Sequence, residues 1–242
     1  MFYEKKIKSV LTETWGKVGD ADRERIEKLA FPENIHEVSR NYGDDPDGYQ
    51  SLSYFWPAKN ATNLPVIVDI HGGGFMYGTK ELNRPYASYL ASLGFMVMSM
   101  SYRLTPRVRL KDQLCDIYDA IAFMLKDNTP ADFSRAFITG DSAGGMLAGV
   151  FAAAQENNAI YGLFGRSPLA LHFKAAALTH PAAYLHGFGP GTSFQTKIVA
   201  KTMCDMLYGP FYSRDRKLER TTGNFTDMVK LAGGFIPVFL LT

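Results

Sequence analysis

A chain of 242 residues with 46% apolar and 13% aromatic residues can bury the core of one large α/β domain, which excludes a disordered chain. Its formal net charge is only +2, with Lys and Arg dispersed, so neither a nucleic acid nor an anionic membrane surface is indicated as a partner. No apolar run approaches the ~20 residues of a membrane span.

Residues 1–48 are polar and charged. They contain a predicted helix at 20–29 and end in a Gly/Asp/Pro turn cluster at 41–48. From Tyr49 the texture changes. Residues 51–56 read as a strand stopped by Pro57, and the β-branched run 66–70 reads as a strand buried on both faces. Residues 79–93 read as a helix with Tyr86, Tyr89, Leu90 and Leu93 on one side and Gly94 as its terminator. A buried strand is expected at 95–100. After it comes a helix at 112–126, with Leu114, Ile117, Tyr118, Ile121 and Leu125 at helical spacing. Residues 136–139 form the next strand, Ser142 opens a helix that runs to about 155, and further strands follow at 175–179 and 237–241.

Strands alternating with helices imply a mostly parallel sheet with helices on both faces. The stretch 181–235 breaks the rhythm, with a Gly/Pro-rich piece at 186–191, a helix near 196–207 and a charged run at 214–220. It reads as an insertion over the C-terminal edge of the sheet, where ligands bind in open α/β folds. The expected organisation is a single domain: a cap from 1–48 and 181–235, a core at 49–180 and a last strand at 236–242. There is no internal repeat.

Gly140, Asp141, Ser142, Ala143 and Gly144 fit G-x-S-x-G. The pattern alone matches about one chain in ten of this length by chance. Here it gains weight from context, because a strand ends at Thr139 and a helix starts at Ser142. A nucleophile elbow needs that turn, which exposes the serine oxygen in a strained conformation. The N–H of Ala143 then points from a helix N-terminus toward any oxyanion formed there. His71, Gly72, Gly73, Gly74 and Phe75 follow the strand 66–70 directly. Three glycines let the backbone turn two N–H groups toward one point with no side chain in the way. His71 precedes the serine and sits at a strand end, so it reads as a residue that orients the loop and not as the base.

The two motifs, in this order and about 70 residues apart, resemble the hormone-sensitive-lipase-like family of α/β-hydrolases, the bacterial acetyl esterases and carboxylesterases. The segment from Tyr102 to Pro106 looks like that family's Y-R-L-A-P, and Asp116 stands where it keeps an acid. The resemblance implies an α/β-hydrolase fold and a cap from the N-terminus and a late insertion. It also implies an oxyanion hole donated by Gly73, Gly74 and Ala143. Ser101 and Arg107 depart from the pattern, both away from the reaction centre.

On this fold the triad acid and base follow the serine, in that order. The family pattern places the acid just past the strand 237–241 and the histidine after one more strand, so both are expected beyond Thr242. The chain's histidines are His36, His71, His172, His180 and His186. His180 is the one weighed as a substitute base, against a plain turn-forming role. Asp205, Asp215 and Asp227 read as a solvated face of the insertion. The chain thus reads as a serine esterase cut before its last strand and helix, weak or inactive as it stands.

Short acyl esters are the expected substrates. An amidase or formamidase is the close variant, and a ligand-binding protein on the same scaffold is the other class. No cofactor or metal is expected, and Asp69 with His71 reads as strand-end hydrogen bonding. Tyr54, Phe55, Phe75 and Tyr77 read mostly as core, with an acyl pocket as the other role. Lys5, Lys6 and Lys8 lead into Thr12, Glu13 and Thr14, so a signal peptide is not expected. Cys115 and Cys204 read as reduced thiols of a cytoplasmic protein, Cys115 on a helical face as core. The bare sheet edge at 237–241 invites pairing, so a homodimer is a further expectation.

Overall fold

A computed structural model describes residues 2–186, 192–209 and 216–241, with side chains from residue 9 onward. The Gly/Pro-rich piece at 187–191, and Asp215 with the start of the charged run, lie outside them.

Seven strands form one sheet: β1 (Ile35–Asn41), β2 (Ser51–Pro57), β3 (Leu64–Ile70), β4 (Met96–Met100), β5 (Ala131–Asp141), β6 (Phe173–Thr179) and β7 (Val238–Leu241). Their order is β1-β2-β4-β3-β5-β6-β7. The first two pairings are antiparallel and the other four parallel. The helices are α1 (Phe2–Glu27), α2 (Arg84–Ser92), α3 (Leu110–Met124), α4 (Ser142–Glu156), α5 (Ala159–Leu163), α6 (Phe194–Tyr208), α7 (Arg216–Thr222) and α8 (Phe225–Ala232).

Side-chain alternation divides the core in two, as a pleated strand must. Leu52, Tyr54, Val66, Val68, Ile70, Met96, Met98 and Met100 meet α3 and α4 on one face. Phe55 and Val97 meet Ala87 and Ala91 of α2 on the other.

The helices α5, α7 and α8 were not placed from the sequence, and three further elements differ from expectation. Within 1–48, residues 35–41 join the sheet as β1, so that segment is not all cap. Its side chains are mostly polar and exposed because β1 is an edge strand, and charge on an edge discourages unwanted pairing. α1 runs well before residue 20. Its weakly apolar inner stripe gave little periodic signal. α2 presents a different face from the one read from the sequence: Tyr86, Tyr89 and Leu93 are exposed, while Ala87, Ser88 and Ala91 are buried, and of the expected four only Leu90 packs partly buried beside them. Small side chains let that helix lie close on the sheet, so its large ones turn outward.

Polar groups fix the strand ends beneath the loops. Asp116 of α3 is fully buried. It accepts both a side-chain fork and the backbone N–H of Arg103, and a further bond from Gln50 Nε2 at 2.9 Å. At the end of β3, Asp69 accepts bonds from Ser99 Oγ at 2.9 Å and Asn83 Nδ2 at 3.0 Å. Strand-end hydrogen bonding is therefore what Asp69 does. Burial pushes its carboxyl up to about 7, against the two hydrogen bonds that favour the ionised form. Burial pushes His71 down to about 4.

The two shifts oppose each other. The unfolded chain protonates His71 near pH 6.5 and the native one only near 4, so acidification across that window favours unfolding. The unfolded chain releases the Asp69 proton near pH 3.8 and the native one near 7, so raising the pH favours unfolding. Asp69→Asn keeps the neutral hydrogen-bonding shape and removes one slope. Its urea midpoint should fall from pH 6.5 to 4 more steeply than the parent's, and a profile as flat as the parent's would contradict this balance. Asp116→Ala, which leaves the Arg103 fork without its buried partner, should cost about 2 to 3 kcal/mol in the same denaturation experiment.

Candidate active site

β5 passes into α4 with no intervening residue, Asp141 closing the strand and Ser142 opening the helix. Ser142 has φ 50°, in the left-handed region that costs a non-glycine residue about 1–2 kcal/mol. Its side chain is partly exposed, and its hydroxyl makes no hydrogen bond among the described residues. The turn closes because Gly144 has no side chain: a Cβ there would overlap the carbonyl oxygen of Ile70 and reach His71. A Cβ on Gly140 would in turn lie 2.5 Å from the Gly144 carbonyl. The elbow is pressed directly against the end of β3.

The loop leaving β3 is buried from His71 to Phe75. Asp141 joins it to the elbow by accepting the Gly72 N–H at 2.9 Å. Burial raises the Asp141 carboxyl, while bonds from Asn83 and Gly72 act the other way. Tyr102 Oη donates to the His71 carbonyl at 2.9 Å, and the two rings stack 4.3 Å apart and 6° from parallel. His71 Nδ1 lies 2.7 Å from the Gly72 carbonyl and so carries the proton. Fully buried and kept neutral, this ring holds the loop through Gly72 and makes no hydrogen bond to Ser142. Phe75 (φ 66°) accepts from Thr105 N and Gln113 Nε2, which fixes the far end of the loop.

Within this frame the N–H groups of Gly73, Gly74 and Ala143 donate to no partner among the described residues, although all three residues are buried. Buried donors almost always have partners, so three idle ones on the loop and the elbow that meet at the end of β3 are exceptional. The N-terminus of α4 adds its positive end to the same place.

The remaining histidines do not complete the site. His180 lies just past β6 and is exposed. Its backbone N–H bonds the Leu241 carbonyl, and its ring has no hydrogen bond to Ser142. His186 pairs with Glu219 at 3.0 Å within the insertion, His36 of β1 lies tilted against Trp56 of β2, and His172 is exposed. Asp205 pairs with Lys201 of α6, and Asp227 is exposed on the first turn of α8. The insertion reaches the elbow through Ala182, whose N–H bonds the Ser142 carbonyl at 2.9 Å. Tyr54, Phe55 and Phe75 are core residues, whereas Tyr77 meets α1. No three potential metal ligands cluster among the described residues.

Sequence reasoning missed two contributors. Asn83 reaches both Asp69 and Asp141, and nothing in the sequence around it marks that bridge. Trp15 lies against Gly74; Leu11, Trp15 and Ile26 recur at helical spacing in the sequence, but Gly19 and Asp22 interrupt the apolar pattern between them.

Comparison with known proteins agrees with this geometry. The model of a family described as alpha/beta hydrolase fold matches residues 67–235. The crystal structure of esterase B from Lactobacillus rhamnosis superposes with a TM-score of 0.87 at 32% identity, covering 99% of this chain and 75% of that one. The carboxylesterase NlhH of Mycobacterium tuberculosis is 32% identical over 113 residues, 43% of this chain and 35% of its own length. The probable carboxylesterase 7 of Arabidopsis thaliana is 29% identical over 125 residues, 46% of this chain and 40% of its own. Those aligned regions span well under half the length of the curated relatives. By the family match and the shared fold and sequence with esterase B, the chain belongs to the α/β-hydrolase fold family.

Proposed function

We propose that this chain carries the acyl-transfer centre of a serine carboxylic-ester hydrolase. Ser142 Oγ attacks the ester carbonyl carbon, and the carbonyl oxygen becomes an anion held by the N–H groups of Gly73, Gly74 and Ala143. Collapse of the tetrahedral adduct releases the alcohol and leaves an acyl group on Ser142, which water then removes. The carrying observation is the left-handed Ser142 beside three buried, unclaimed N–H groups.

A proton must leave the hydroxyl as it attacks, and no imidazole bonds it among the described residues. This reading therefore assigns the acid and base to segments outside them. Small-molecule esters with short acyl chains are the proposed substrates. The similar esterase B has been seen with a C4-C4 SN3 tributyrin phosphonate inhibitor, which supports that choice.

The cytoplasm is the proposed location, supported by Cys115 and Cys204, which no disulfide joins. No described helix is long and apolar enough to cross a membrane.

In the complete gene product, Ser142→Ala should lower kcat/KM for p-nitrophenyl esters of two to six carbons by about 10³-fold or more. A fluorophosphonate should label Ser142, as read by peptide mass spectrometry. Undiminished hydrolysis by the variant would sink the proposal.

A further inference from the structure

α1 touches the glycine loop itself. Leu11, Trp15, Gly19, Asp22 and Ile26, spaced three or four residues apart, are the less exposed positions along this part of the helix and form its inner stripe. The Trp15 indole rests on Gly74, where a Cβ would lie 2.7 Å from Cε2 and 2.8 Å from Cζ2. The same indole stacks on Tyr77, with centroids 5.6 Å apart and planes 22° from parallel. One turn further, Gly19 makes room for the Tyr77 ring. At the next turn Asp22 Oδ2 accepts the Tyr77 hydroxyl at 2.8 Å. Tyr77 returns to the loop through its own N–H, which bonds the Gly73 carbonyl at 3.1 Å.

This arrangement answers a mechanical need. Gly73 and Gly74 carry no side chains and glycine moves easily between basins, so their peptide planes are held from outside: His71 Nδ1 bonds the Gly72 carbonyl, coplanar with the Gly73 N–H, and the N–H groups of Met76 and Tyr77 bond the Gly73 carbonyl, coplanar with the Gly74 N–H. An oxyanion donor is effective only when it is already aimed, within about 2.7–3.1 Å of where the charge develops. Gly72 is held by Asp141 and Phe75 by Thr105 and Gln113. Between those two anchors, side-chain packing on Gly74 comes from Trp15.

We propose that Trp15 is a positioning residue for the oxyanion loop: its indole, seated on Gly74 and stacked on Tyr77, fixes the direction of the Gly73 and Gly74 N–H groups. Through Trp15 alone, α1 then helps to aim the loop and is not merely a cover. The proposal rests on the ester-hydrolase reading for its kinetic consequence and on packing alone for its structural one.

The test compares Trp15→Ala, Trp15→Phe and Leu11→Ala in the complete gene product. Leu11→Ala removes an apolar side chain one turn earlier on the same stripe. Amide hydrogen exchange by NMR reads Gly73 and Gly74 against the β3 amides, and steady-state kinetics use a short p-nitrophenyl ester. In Trp15→Ala the two glycine amides should exchange about tenfold faster with β3 unchanged, and kcat should fall about tenfold with KM held within about twofold. Trp15→Phe, which keeps a ring on Gly74 and Tyr77, should recover most of both. Leu11→Ala should leave both near the parent.

Unchanged exchange at Gly73 and Gly74 in Trp15→Ala would overturn the proposal. So would a loss of kcat in Leu11→Ala as large as in Trp15→Ala, since that would make Trp15 only one anchor among several. If Ser142→Ala left hydrolysis intact, the ester-hydrolase reading would fail by itself, and the exchange measurement would still decide the role of Trp15. Should Trp15→Ala fail to fold, Trp15→Leu against Trp15→Phe decides: a side chain without a ring should speed the glycine amides, and equal exchange in the two would overturn the proposal.

Discussion

The site depends on one close contact, the first turn of α4 pressed against the carbonyl groups that end β3. Gly144 permits it, since any side chain there would displace Ile70 and His71. With that contact made, the strained Ser142 and the loop from His71 to Phe75 share a single frame, and the Gly72–Asp141 bond sets how they face each other. Two motifs about 70 residues apart become one surface because β3 and β5 are adjacent parallel strands that end at the same level, Ile70 beside Gly140. The topology brings the strand ends together, and the glycines let them touch.

Around this contact the protein places buried polar groups where an apolar core would be simpler. Asp69, Ser99, Asn83 and Asp141 form a chain of bonds that ends at the Gly72 N–H. A buried network of this kind is costly unless its members are satisfied, and satisfied ones resist rearrangement. Tyr102 adds a second tie by holding the His71 carbonyl and stacking on its ring. The loop is tied where it leaves β3, at the Gly73 carbonyl by the N–H groups of Met76 and Tyr77, and where it re-enters the core at Phe75.

What could be read in the sequence follows from the same physics. Ser142, Gly144 and the glycines of the loop were legible because the backbone there tolerates few residue types, and a demand on the backbone writes itself as a fixed residue at a fixed place. The parallel strands were legible because burial on both faces leaves continuous apolar runs. β1 was not, since an edge strand has little to bury. α2 was placed correctly but faced wrongly, because weight was given to side-chain size where closeness of approach decides. The inner stripe of α1 contains Gly19 and Asp22, which no apolar template counts, yet both serve Tyr77. The acid and base of a triad could not be assigned from the chain's own five histidines, and none of those rings bonds Ser142.

The attachment of α1 has a thermal consequence. This helix is tied to the loop by one indole, one ring stack and one tyrosine hydroxyl, while β3 and β5 lie deep in the sheet. Local opening of a peripheral helix costs far less than global unfolding. The loop would lose its grip from above while the rest of the molecule stayed intact. Warming would then loosen the glycine loop well before the sheet melts, and cooling would bring it back without any refolding of the core.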